Sequence, residues 1–327
     1  MAQKECCLAV DIGGTKIEVG LFAPSGEMLS QSKRFSVQFN NKKQADIYHL
    51  ATATKDYLRK EKQVGWKLVG IGISVCGHVD KKGTAIVLAP NLGWRDYAAG
   101  EILDRIFHLP IHMEVDTAMA ATAEMMWGAA RNVKHFAWCT IGTGRGSYYV
   151  LDGKLFGGAH GFAGEIGHIT IDERNGYPCG CGRRGCLETY ITGPAIARAG
   201  QEAVKRGESD MMKEMAGESE ITARVVIQAM QKKDPAACRI IDEKINMIAK
   251  VMGGLANTLD LEMIIIGGGV ASAIPGFIEI IQERSRDYLM FEEAKKELRI
   301  AGETFSNAAL YGAAANFFIK EGVLSNV

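Results

Sequence analysis

Glu165–Glu188 reads EIGHITIDERNGYPCGCGRRGCLE and gathers one histidine, three cysteines and two bracketing glutamates into a single short segment. Cys179 and Cys181 stand two apart, Cys186 follows five later, and His168 lies upstream at the end of a β-rich run. Three thiols and an imidazole form the usual closed ligand set of structural zinc. Gly180, Gly182 and Gly185 let the chain turn tightly enough for neighbouring thiolates to face one point. A C-x-C pair also serves redox chemistry, and cysteines are common small core residues. The charge and glycine content of the loop argue against a packed core and favour zinc.

Working outward, 327 residues are enough for two domains, and 47% hydrophobic content is that of a globular enzyme. Lys+Arg and Asp+Glu both count 38, with no basic run or aromatic-interleaved patch, so no nucleic-acid partner is expected. The opening MAQKECCLAVDIGG lacks a signal-peptide h-region, and no later run is long and apolar enough to span a membrane. A soluble, cytoplasmic protein is expected. Cys6, Cys7, Cys76, Cys139 and Cys238 are scattered in apolar surroundings, which suits reduced thiols better than a disulfide framework.

Two strand–glycine–strand patterns stand out. Cys6–Asp11 leads into Asp11-Ile12-Gly13-Gly14-Thr15-Lys16 and a second strand, Ile17–Phe22. His135–Ile141 leads into Gly142-Thr143-Gly144-Arg145-Gly146 and the strand Ser147–Leu151. Backbone amides at such turns approach an anion closely, and the hydroxyl of Thr15 or Thr143 adds a donor. Each turn alone also fits a plain hairpin with glycines at positive φ. Two turns of matched chemistry point to a polyphosphate. A third glycine run, Gly267-Gly268-Gly269, follows the buried strand Glu262–Ile266 and precedes a helix, leaving room for a flat ring or a phosphate. Asn91, in Pro90-Asn91-Leu92-Gly93, is an ordinary turn residue or a ligand holder. Asp116, between the strand Ile111–Val115 and the helix Thr117–Ala130, is a natural N-cap or a base at the carboxyl end of a strand. Further helices are expected over Lys43–Lys62, Tyr97–Phe107, Pro194–Arg206, Glu220–Lys232, Pro235–Leu259, Pro275–Met290 and Ala308–Ile319.

DIGGTK, GTGRG, GEIGH, CGCGRRGCLE and IIIGGGV together make the chain resemble the ROK family of bacterial sugar kinases and related repressors, within the actin-like ATPases that include hexokinase. The resemblance implies an α/β fold of two actin-like ATPase (ribonuclease H-like) domains around a central cleft. The smaller would span 1–115, with a C-terminal helix, 305–327, returning to it. The larger would span 116–304 and carry the zinc loop. Asp11, Gly13, Gly14, Thr15 and Lys16 match the first phosphate motif, and Gly142, Thr143 and Gly144 the second. Gly267, Gly268 and Gly269 match adenosine-side glycines. Asp116 matches the general base, and Asn91, Glu165, His168 and Glu188 match sugar-hydroxyl ligands. His168, Cys179, Cys181 and Cys186 match the zinc site.

The implied activity is ATP-dependent phosphorylation of a hexose or hexose derivative with Mg²⁺, ATP and structural Zn²⁺, in a homodimer or homotetramer. A free Asp ionises near pH ~4, so Asp116 can accept the hydroxyl proton at neutral pH. The alternative is a non-catalytic sugar-binding or regulatory member of the family. A repressor needs a helix-turn-helix, and with DIGGTK beginning at Asp11 none is expected ahead of it. Three features depart from the family pattern. Val115 stands where Asn is usual, SVCGHVD brings Cys76 and His78 to the sugar side, and Arg145 replaces an apolar residue. An unpaired buried hydroxyl costs about 1–3 kcal/mol, so Val115 selects a sugar that lacks or redirects the group Asn would read.

Overall fold

The protein is described here by a computed structural model covering residues 4–61, 65–142 and 144–325. Its chain divides into two compact units, one drawn from Met1–Asn132, Val150–Ala163 and Glu303–Val327, the other from Val133–Tyr149 and Gly164–Gly302.

The first unit begins with β1 (Lys4–Ile12), β2 (Lys16–Phe22), β3 (Lys33–Ser36), α1 (Ile47–Lys60) and β4 (Trp66–Val75). It continues with β5 (His78–Val79), β6 (Ile86–Ala89), β7 (Trp94–Tyr97), α2 (Ala99–Phe107), β8 (Ile111–Val115) and α3 (Asp116–Trp127). The main sheet runs β3-β2-β1-β4-β8, with β1, β4 and β8 parallel and the β1–β2–β3 meander antiparallel. β4 is buried along its second half, where Ile71, Ile73 and Val75 alternate with Gly70, Gly72 and Ser74, as suits a central strand. Strands β5, β6 and β7 form a small antiparallel sheet.

Next come β9 (Phe136–Ile141), β10 (Arg145–Leu151), β11 (Lys154–Phe156), α4 (Glu188–Ile191), α5 (Gly193–Lys205), α6 (Asp210–Ala216), α7 (Ala223–Gln231) and α8 (Pro235–Leu259). The chain then forms β12 (Met263–Gly267), α9 (Gly269–Ala273), α10 (Phe277–Ser285), α11 (Glu292–Glu297), β13 (Arg299–Gly302) and α12 (Ala308–Lys320). The second sheet has the order β11-β10-β9-β12-β13, the same permutation as the first, so the two strand–glycine–strand patterns open two sheets of like topology. The boundary between the units passes through β10.

The first unit extends further than the 1–115 expected. Helix α3 belongs to it because α12 packs along α3 at close range: a Cβ on Gly312 would stand 1.6 Å from the Met119 carbonyl oxygen. On the sheet side, a Cβ on Gly72 would stand 1.9 Å from the Ala313 carbonyl oxygen, so helix and strand touch backbone to backbone. Helix termini moved with their caps. The first helix starts at Ile47 rather than Lys43 because the Asp46 carboxylate accepts the Tyr48 and His49 amides. Pro235–Leu259 is helical over its whole expected length, capped by Asp234. The span expected as one helix from Pro275 to Met290 is α10 followed by a 3-10 turn at Arg286–Tyr288.

Candidate active site

In the first unit, register decides what meets what. Ile12, Val75 and Val115 are paired across β1, β4 and β8, so the next residues, Gly13, Cys76 and Asp116, leave the sheet side by side at its carboxyl edge. The Cys76 amide donates to the Ile12 carbonyl at 3.0 Å, closing that edge. Burial, with help from the charges of Asp116 and Asp11, pushes the Cys76 thiol up to about 12. Asp116 is the first residue of α3, not its cap. Val115 holds the cap position with no side-chain hydrogen bond to the helix, and the Asp116 carboxylate accepts the Thr117 amide at 2.8 Å. A carboxylate in that first turn faces the positive end of the helix.

Asp11 lies one row behind. It pairs with Ser74 on β4, whose hydroxyl donates to its carboxylate at 2.7 Å. Burial raises the Asp11 pKa, the Ser74 hydrogen bond opposes the rise, and the Glu18 charge adds to it. The turn after Asp11 is closed by the Gly13 amide donating to the Lys16 carbonyl at 3.0 Å. Asn91, in a 3-10 turn ended by Gly93 in the left-handed region, lies against that turn: a Cβ on Gly14 would stand 2.9 Å from the Asn91 Cβ. The structure therefore brings Asn91 to the first glycine turn, a closeness that sequence separation conceals.

In the second unit, the Gly142 amide donates to the Gly144 carbonyl at 3.0 Å, while the Gly142 carbonyl accepts the Gly193 amide at 2.9 Å. Thr143 lies outside the described residues. Gly268, at φ 95°, packs where a Cβ would meet Thr140 Oγ1 and the Ile141 carbonyl at 2.6 Å, so the third glycine run is fastened to the end of β9. Beside it opens a cavity of about 730 Å³. Gly142, Gly193, Gly268 and Gly269 line its backbone side, and Arg224, Ile227, Gln228 and Gln231 of α7 line another. That volume is in the range of small-molecule sites. Gly144 and Gly267 are not in the lining. Sequence reasoning missed Gly193 and the α7 residues. The polar spacing of Arg224, Gln228 and Gln231 at i, i+4 and i+7 was the available signal.

The cysteine segment converges. Donor atoms of His168, Cys179, Cys181 and Cys186 all lie within 4.8 Å of one another. Cys181 and Cys186 sulfurs are 3.6 Å apart, and Cys179 Sγ is 3.5 Å from His168 Nδ1. Tetrahedral zinc with bonds of about 2.0–2.3 Å separates its ligands by roughly 3.5–3.8 Å, so the set fits this ion. Gly185, at φ 73°, is needed here: a Cβ would stand 1.8 Å from the Asp172 carbonyl oxygen. His168 sits in a 3-10 turn, Ile166–His168, rather than at the end of a β-run, since the sequence after Gly164 turns instead of pairing. Hydrogen bonds from the Arg183 backbone and side chain lower the Cys181 thiol to about 6, whereas burial raises Cys179 to about 12. Glu188 opens α4 and accepts from Cys179 Sγ at 2.8 Å; its Oε1 is 3.8 Å from His168 Nδ1. Glu165 Oε2 lies 3.8 Å from His168 Nε2, beyond hydrogen-bonding reach, so each keeps its capacity for a third group.

The ROK family model matches residues 7–319. The chain belongs to the ROK family. It is 32% identical over 298 residues to a glucokinase of Halalkalibacterium halodurans, covering 90% of this chain and 89% of that one. It is 30% identical over 280 residues to a xylose repressor of Caldicellulosiruptor bescii, covering 84% of this chain and 69% of that one. A ROK family glucokinase from Streptomyces griseus, solved with glucose and AMPPNP, superposes with a TM-score of 0.77 at 27% identity, covering 94% of this chain and 98% of that one. The fold is accordingly α/β, with two actin-like ATPase domains.

Proposed function

We propose that this protein is an ATP-dependent sugar kinase that uses Asp116 as its general base. The observation that carries the reading is the strand register, which sets Gly13, Cys76 and Asp116 side by side with Asp11 one row behind. Such carboxyl ends of parallel strands are where α/β proteins bind ligands. The relatives add the substrate class, a hexose or hexose derivative phosphorylated at the expense of ATP.

In this reading Asp116 accepts the proton of the attacking hydroxyl, and that hydroxyl oxygen displaces ADP from the γ-phosphorus. Little base strength is needed, because phosphoryl transfer passes through a loose transition state and gains most from alignment. Asn91, Glu165, His168 and Glu188 hold sugar hydroxyls. His168 presents Nε2 beside Glu165, and its Nδ1 belongs to the metal set with Cys179, Cys181 and Cys186. Asp11, Gly13, Gly14, Thr15 and Lys16 hold one side of the triphosphate, and Gly142, Thr143 and Gly144 the other. Gly267, Gly268 and Gly269, beside the cavity lined by α7, face the nucleoside. Mg²⁺ fits the hard oxygen of Asp11 and, when bound, supplies charge neutralisation to the phosphates. Zinc, when bound, fixes the imidazole of His168 and its second nitrogen as a donor. The protein acts in the cytoplasm as a homodimer or homotetramer.

Similarity to a xylose repressor, together with Val115 in place of a hydrogen-bonding residue, supports a second reading as a non-catalytic or regulatory sugar binder. One experiment separates the two: ADP release from Mg-ATP against glucose, mannose, fructose, allose, N-acetylmannosamine and N-acetylglucosamine. Sugar-dependent release that Asp116→Asn abolishes supports the kinase, whereas sugar binding with no release supports the second reading.

A further inference from the structure

One transverse row of the first sheet is polar from edge to edge. Register places Arg34, Glu18, Asp11, Ser74 and Glu114 in line on β3, β2, β1, β4 and β8. Asp11 and Glu18 are direct antiparallel partners, and like charges so placed repel. Glu18 is only 4% exposed, so solvent does little to relieve the pair. What relieves it is specific. Arg34 Nε donates to Glu18 Oε2 at 2.5 Å, and Ser32 Oγ donates to Oε1 at 2.7 Å. Burial alone would raise the Glu18 pKa; these hydrogen bonds outweigh it and leave the carboxylate ionised more readily than usual.

The third partner is Asn307, 289 residues further along the chain. Its Nδ2 donates at 2.9 Å to Oε2 of Glu18, the cross-strand partner of Asp11. Its Oδ1 accepts the Leu310 amide at 3.3 Å and so caps α12. A carboxamide has two N–H donors and one acceptor oxygen. Donor and acceptor are used at once, on the Glu18 carboxylate and one helix end. An N-cap alone does not need this residue, since Asp caps a helix as well as Asn does. The bridge does, because Asp has no N–H and would add a third carboxylate.

We propose that Asn307 and Glu18 are positioning residues for the metal–nucleotide. Asn307 holds the Glu18 carboxylate, Glu18 keeps a second negative charge opposite Asp11, and the strand pair leading into the first phosphate turn is thereby tied to α12. This deepens the kinase reading and rests on its assignment of Asp11 to the Mg²⁺–phosphate side.

Calorimetric titration with Mg·AMPPNP, water-proton relaxation with Mn²⁺, and thermal unfolding test it on wild type, Asp11→Asn, Asn307→Asp, Glu18→Gln and the Glu18→Gln/Asn307→Asp pair. Asn307→Asp is expected to weaken Mg·AMPPNP about tenfold, the size of one charge-assisted hydrogen bond, with little change in unfolding temperature. The double variant returns the cluster to two carboxylates and one carboxamide and is expected to recover most of that loss. Glu18→Gln alone is expected to weaken Mn²⁺ about threefold and leave the KM for sugar unchanged. Wild-type nucleotide binding by a folded Asn307→Asp makes Asn307 a helix cap only and overturns the inference. Should Asn307→Asp not fold, wild-type Mn²⁺ affinity in Glu18→Gln overturns it instead. If Asp11→Asn binds Mg·AMPPNP normally, the kinase assignment of Asp11 falls with it. If only Asp11→Asn loses binding, this inference alone falls.

Discussion

In the first unit the polar groups stand at the ends of three hydrogen-bonded parallel strands, whereas in the second His168, Cys179, Cys181, Cys186 and Glu188 hang on a loop. That loop has two isolated β-bridges, Thr170 to Cys186 and Pro178 to Arg184, and no regular strand between His168 and Glu188. Strand register holds Asp11, Cys76 and Asp116 together whether or not a ligand is bound, because the sheet itself is held by a buried core including Leu8, Val10, Ile71, Ile73 and Met113. The loop instead turns between isolated bridges and gathers its donor set at one point. One region is therefore organised by strand pairing, the other by a tight loop.

Asp116→Asn carries the largest expected effect. It keeps the shape at the strand ends and removes the proton acceptor, so kcat should fall by about 10²–10⁴-fold while Mg·AMPPNP affinity stays within twofold. A fall of less than tenfold in an ADP-release assay would dismiss Asp116 as the base. The second unit should respond differently. Stripping metal with a chelator, or Cys186→Ser, should bring zinc from one equivalent to near none and open 165–188 to protease. KM for sugar should rise at least tenfold with KM for ATP little changed, because a metal-dependent loop loses its fold with its ion. Retention of sugar KM in zinc-free protein would reduce the loop to a structural clasp remote from binding.

Thiol chemistry contrasts the same two regions on a finer scale. The thiolate is the reactive form. Cys181, lowered to about 6 and exposed, is mostly thiolate at pH 7.5 in metal-free protein, whereas Cys76, raised to about 12, is protonated there. Iodoacetamide with peptide mass mapping should label Cys181 at least tenfold faster than Cys76, and zinc should abolish that lead. Lowering the pH through 6 should slow Cys181 as its thiolate is protonated, with no change at Cys76. Equal rates at the two sites would contradict the preorganised packing around Cys76.

What could be read in the sequence follows the same division. The cysteine loop was legible because its ligands are local: spacing and glycines bring them together within one short segment. Both glycine turns were legible for the same reason. Asp11 beside Ser74, Asn91 against Gly14 and Asn307 on Glu18 were not, because each depends on tertiary packing, on register or on α12 returning to the sheet. The fold class came from the family resemblance that the glycine turns and the cysteine loop carry, but the extent of the first unit did not, since the contact of Gly312 with Met119 that holds α3 there is tertiary. The cavity wall on α7 was hidden by ordinary helical residues whose spacing is also that of a solvated face.

The smallest expected effect separates the two things residue 115 does. Val115 is the N-cap residue of α3, with extended backbone (φ −66°, ψ 144°) and no side chain able to accept the first-turn amides. Val115→Asn should therefore add a cap of about 1 kcal/mol and raise the unfolding temperature by about 2–4 °C. If that is all, sugar preference in the six-sugar panel is unchanged and the position is purely structural. If the new amide also meets a hydroxyl of the substrate, kcat/KM shifts toward a sugar carrying that hydroxyl by about tenfold or more, since a site built to pair a hydroxyl penalises its absence. A carboxamide can accept from the helix through its oxygen and donate to the sugar through its nitrogen, so stability and specificity measured on this one variant report the two partners separately.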